Sequence, residues 1–162
     1  MDIYAVIQQD HEGIRATMAK TLRARSPERR DALVAELRQA VALHVQTEAA
    51  TWHQALLAFP DLKAQITETR EAYDAAQGMI DTLARLTAEP MPFLSLFDEV
   101  QDALEHLMRE EEEKVFPLSR HYLSNAQAEM LGERMRLLED DYVDGRLLAA
   151  GVGRHLSGSA YY

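Results

Sequence analysis

An all-α fold, an up-down-up-down antiparallel four-helix bundle with a shorter fifth C-terminal helix, is what this sequence predicts. Strand signals are absent, while apolar residues recur at three- and four-residue steps through four long segments. Prolines and capping residues fall between those segments, and the connections they leave are short, as consecutive antiparallel helices require.

The first segment runs from about Ile3 to Arg23 and places Ile3, Ile7, His11, Ile14, Met18 and Leu22 on one side. "RSPER" ends it and starts the second, with Ser26 as N-cap and Pro27 at the first helical position. The second is striped by Leu33, Leu37, Val41, His44, Glu48, Trp52 and Leu56 and stops near "AFPD", where Pro60 disfavours continuation. The third spans about Leu62 to Thr87, with Ile66, Tyr73, Ala76, Ile80 and Leu83 inward. "AEPMPF" breaks it. The fourth starts near Pro92, presents Leu96, Val100, Ala103, His106, Leu107 and Glu110, and ends around Pro117. A fifth helix opens behind Ser124. The division expected is a bundle over residues 1–148 and a loosely ordered tail over 149–162.

Composition narrows the function classes. The chain has 162 residues, enough for one domain with a real core. A net charge of −10, from 27 acidic against 17 basic residues, argues against a nucleic-acid partner, which needs a basic surface. No apolar run approaches the length of a membrane span. The start "MDIYAVIQQDHEGI" lacks the features of a secretory leader, so a cytoplasmic location is expected. With no cysteine, disulfides and thiolate metal sites are excluded.

What stands out is polarity on apolar stripes. His44 and Glu48, four apart, share a face of the second helix, and His106 and Glu110 repeat the spacing on the fourth. His11 sits in the stripe of the first. Among 6 histidines and 16 glutamates one such pair is unsurprising, so placement carries more weight than spacing. Three imidazoles and two carboxylates meeting in an apolar interior cost free energy unless partnered, and a shared metal ion partners them all. The plainer alternative is a metal-free polar core, with each His-x-x-x-Glu pair a local hydrogen bond. His53, His121 and His155 read as structural, and Glu111, Glu112 and Glu113 as a solvated acidic face.

At "YAVIQQDHEGI", "LHVQTE" and "EHLMREEEEKVFPL" the sequence resembles the hemerythrin-like HHE cation-binding family, over about residues 3 to 145. The resemblance implies an antiparallel bundle around a non-haem di-iron centre. It implies His11, His44, Glu48, His106 and Glu110 as metal ligands, with the two glutamates as bridging carboxylates. Family members bind or sense oxygen, handle peroxide or nitric oxide, or take part in iron homeostasis. The third helix departs from the pattern, because Ala75 and Ala76 stand where the family carries a Glu-His pair. Tyr73, one turn earlier, offers a phenol as a possible extra ligand, though packing is its commoner role.

The count leaves a second site under-ligated, and zinc or manganese would accept the same donors. Reversible oxygen carriage draws one electron from each of two ferrous ions, so plain oxygen storage is less favoured than in an intact relative. The expectation is a cytoplasmic iron protein that senses or handles a small diatomic ligand or peroxide, or serves iron homeostasis. Its alternatives are a degenerate metal-free or mononuclear bundle serving as a regulatory module, and a peroxide-decomposing enzyme with an exposed open metal position.

Overall fold

In the computed structural model, residues 1–152 are described. They are helical throughout apart from short connections, with no strand among them. Five long helices carry the fold: α1 (Ile3–Arg23), α2 (Pro27–Glu48), α3 (Lys63–Leu83), α4 (Pro90–Glu110) and α5 (Asn125–Val152). Their starts are fixed locally. Asp2 accepts a hydrogen bond from the Ala5 amide at 2.9 Å, and Ser26 accepts from Arg29 at 3.2 Å ahead of Pro27. Ser124 and Gln127 cap each other reciprocally, side chain to amide in both directions, at the head of α5.

Helices α1 to α4 form the antiparallel bundle, with α1 against α2, α2 against α3, and α3 against α4. The fifth helix lies along α1 and touches α2. Its packed part is short, running from Ala128 through Leu131 and Met135 to Glu139. Gly132 lets it approach closely, since a Cβ there would stand 2.3 Å from the Met1 carbonyl oxygen. The helix passes residue 149, where the tail was expected to begin; from 153 on, that tail and His155 lie outside the described residues. No helix among the described residues is long and apolar enough to cross a membrane.

Two apolar clusters divide the interior. One gathers Ile14, Leu37, Val41, Ala76, Ile80, Phe93, Phe97 and Leu104. The other gathers Ile3, Ile7, Trp52, Leu56, Val115, Phe116 and Leu131. It is pinned by Ser119, whose hydroxyl oxygen accepts from Trp52 Nε1 at 2.9 Å and lies 3.0 Å from the Tyr4 hydroxyl.

Two helices do not run straight through. Past Glu48, α2 widens into a π-turn over Ala49–His53 before a last α-turn at Gln54–Leu56. Past Glu110, α4 does the same over Glu111–Val115 before Phe116–Ser119. Pro117 accounts for the second, because it lacks the amide that would close an α-turn onto Glu113. In the first, Thr47 and Thr51 turn their hydroxyls back onto the Leu43 and Thr47 carbonyls, contacts that bend helices. Extra residues in a helical turn are frequent at functional sites.

Candidate metal centre

Between the two apolar clusters lies a group of polar side chains with no access to water. His11 and Glu48 are 0% exposed, His44 1%, His53 2%, Glu111 0% and Tyr73 1%. Each arrives from a different turn. His11 continues the stripe Ile3, Ile7, His11, Ile14 of α1, and His44 follows Leu37 and Val41 on α2. Tyr73 follows Ile66 on α3. Glu111 stands one turn beyond Leu107 and one turn before Val115 on the buried line of α4. Glu48 and His53 are five apart and share a face only because the π-turn inserts a residue between them.

The histidine rings are held from outside. His11 Nδ1 lies 2.7 Å from Glu112 Oε1, an oxygen that also accepts from Arg15 Nη1 at 3.0 Å. Burial would raise the Glu112 carboxyl, but Arg15 and His11 outweigh it and hold it below the ordinary carboxylate range. Glu112 is therefore an acceptor, and His11 carries a proton on Nδ1. His44 Nδ1 faces Asp10 Oδ2 at 3.2 Å, and Arg136 braces Asp10 at 3.5 Å. Both rings thus turn Nε2 inward. His11 Nε2 is 3.2 Å from Glu111 Oε2, and His44 Nε2 is 3.7 Å from Glu48 Oε2. A neutral imidazole nitrogen and a carboxylate oxygen are both acceptors, so this approach calls for a cation or a proton between them.

The electrostatics agree. Burial first, then the charge of Glu111, pushes the Glu48 carboxyl well above its ordinary range. Burial works the same way on Glu111, but His11 and the other imidazoles outweigh it and leave Glu111 lowered. Burial pulls His53 down to about 4, with Arg70 and His44 adding and Glu111 opposing. Burial, Glu111 and Glu48 push Tyr73 up, so its hydroxyl keeps its proton and donates to Glu111 Oε2 at 2.8 Å.

The donor atoms fit a metal. His11 Nε2, both oxygens of Glu48, His53 Nε2 and Glu111 Oε1 are all buried with no hydrogen-bond partner. Leaving that many polar atoms unpaired in an apolar core is costly. Two groups can supply converging ligand atoms, His11 with His44 and Glu111, and Glu48 with His53 and Glu111; within each the atoms lie within 4.8 Å of one another. The profile of the hemerythrin HHE cation-binding domain matches residues 2–119.

The chain belongs to the hemerythrin HHE family. The match takes in the whole polar cluster and stops before α5. No curated protein and no solved structure matches the chain. The hemerythrin-type centre departs from the sequence expectation at the fourth helix. His106 is exposed, and Glu110 turns outward to pair with Lys114 at 2.5 Å, so neither joins the cluster. The buried line of α4 is set by Phe93, Phe97, Val100, Leu104 and Leu107, which carries it to Glu111, one position on from Glu110. That line was present in the sequence, and the bulkiest apolar residues marked it. His53 had no such signal, because ordinary helical spacing from Glu48 puts it on another face. On α3, Ala76 is packed into the apolar cluster, and Tyr73 reaches the centre in its place.

Proposed function

We propose that this hemerythrin-family chain binds iron at the buried cluster and uses it to sense or handle a small ligand such as oxygen, peroxide or nitric oxide. The single observation that carries the reading is the set of unpartnered polar atoms turned toward one another from α1, α2 and α4. His11, His44 and Glu111 would hold the metal. Two imidazoles and one carboxylate with open positions is a donor set typical of non-haem ferrous iron. Iron held there would supply a redox-active centre with room for an added ligand.

The protein's own part is orientation and exclusion of water. Glu112 and Asp10 fix the two rings by their Nδ1 atoms, which sets the tautomer and increases ligand basicity. Tyr73 steadies Glu111 through its hydroxyl. Exposures of 0–2% around the centre restrict what enters to small molecules, which favours a sensing or handling role over turnover of bulky substrates.

The test is metal content per chain, with an absorption spectrum, of protein from iron-replete cells and of chelated protein given ferrous iron. Iron retained by the parent and lost in His44→Ala supports the reading. If neither preparation holds metal, and ferrous iron leaves the melting temperature unchanged, the cluster is a metal-free polar core and the proposal fails.

A further inference from the structure

The three buried histidines are not held alike. His11 and His44 present Nδ1 to carboxylates, at 2.7 and 3.2 Å, and so carry the proton there and turn a lone pair inward. His53 presents Nδ1 to Arg70, whose Nε–H donates to it across 3.5 Å, while Arg70 Nη2 is anchored on the Ala49 carbonyl at 3.1 Å. A guanidinium only donates. The Nδ1 of His53 is therefore the lone pair, and in the neutral ring the proton is on Nε2.

That Nε2–H points into the centre and finds no hydrogen-bond partner. Glu48 Oε2 is 3.5 Å away and Glu111 Oε1 3.8 Å away. A nitrogen that carries a proton cannot ligate a metal. A second cation at this place would also face the fixed positive charge of Arg70 across the ring.

We propose that His53, its tautomer set by Arg70, is a hydrogen-bond donor beside a single metal site, and that a small anionic or oxygen-bearing ligand takes the place of a second metal ion there. The proposal rests on the metal-binding reading above and deepens it. His11, His44 and Glu111 hold the one metal, and His53 offers its N–H to whatever ligand enters beside it. Arg70 is a positioning residue that acts through His53.

Nitrogen-15 spectra of histidine-labelled protein read the tautomers directly, first metal-free and then with zinc. His53 is expected as the Nε2–H form in both. On zinc addition, saturating at one ion per chain, the Nε2 signals of His11 and His44 shift while His53 keeps its proton. In Arg70→Met the His53 ring should move toward the Nδ1–H form. With cobalt in the site, His53→Phe should keep one ion per chain but bind azide roughly tenfold more weakly, the usual effect of losing a hydrogen bond to a charged group. An Nδ1–H form of His53 in the parent, or two ions per chain with His53 Nε2 shifting as a ligand, would overturn the proposal. If zinc moves neither His11 nor His44, the metal-binding reading itself has failed, a result plainly different from a two-ion site.

Discussion

Helix α2 behaves differently on the two sides of His44. Before it, Leu33, Leu37 and Val41 step by four residues and are 0–1% exposed, packing as any regular amphipathic helix does. After it, the helix widens, and Glu48 and His53 face inward with polar atoms that nothing in the chain satisfies. Helix α4 repeats the contrast: Phe97, Val100 and Leu104 are regular and apolar, whereas Glu111 opens a π-turn and is wholly buried. The regular halves hold the bundle together by burial of apolar surface. The widened halves concentrate polar groups that weaken the metal-free protein and become useful when a cation joins them. Stability and function are thus separated along the same two helices.

Exchanging one residue from each half should produce opposite losses. Glu111→Ala removes the carboxylate shared by both candidate ligand groups and should weaken metal binding by at least about 100-fold, since even supporting residues around a metal typically matter by 10–100-fold. Leu104→Ala in the regular half should instead cost about 2–5 kcal/mol of stability while leaving one metal per chain. Isothermal titration with zinc and urea denaturation of the two variants check both halves. A Glu111→Ala protein that binds zinc like the parent would erase the distinction.

The supporting carboxylates sharpen it. Glu112→Ala and Asp10→Ala each free the Nδ1 of one inward-facing ring, and zinc affinity should drop roughly 10–100-fold in each. Equal affinity in all three proteins would mean that the rings are held by packing alone.

The widened half should also give the metal-free protein part of its pH dependence. His53 is lowered in the fold to about 4 from 6.5, so the unfolded chain binds the extra proton between those values. Its contribution is complete above about 6.5 and is lost as pH falls to about 4, a change of roughly 3 kcal/mol. Glu48 is raised, so the folded chain keeps a proton that the unfolded chain gives up above about 4.5. Its contribution is lost as pH rises. The two slopes oppose each other between about 4.5 and 6.5, and above that window the decline comes from Glu48 together with Glu139, which burial and then Asp10 raise to about 7. Urea denaturation of chelated protein should therefore show stability declining from pH 6.5 upward. A rise in metal-free stability over the same range would contradict the assignment of a buried, protonated Glu48.

The smallest effect is expected at the residues that the sequence placed in the site and the fold placed outside it. His106→Ala and Glu110→Ala should leave zinc affinity unchanged and shift stability by no more than about 0.5 kcal/mol, as surface substitutions do. Loss of metal in either variant would require α4 to turn by one residue.

By itself the sequence determined the helices, their caps and the bundle, because apolar periodicity, Ser26-Pro27 and Ser124 are local signals that burial then reinforces. His11, His44, Glu48 and Tyr73 lie on regular stretches, or at their last residue, and their inward direction was legible from spacing. Past those stretches the same arithmetic runs out. The tertiary structure turned Glu111 rather than Glu110 to the centre, along a line that Phe93, Phe97, Leu104 and Leu107 already marked in the sequence and that their packing enforces. Only it decided that His53 joins the group, because a π-turn changes the residues per turn where the sequence carries no mark of it. The tautomers were likewise beyond the sequence. Glu112 and Arg70 are 101 and 17 residues from the rings they orient, and a proton's place on an imidazole is set by what the fold brings to its other nitrogen.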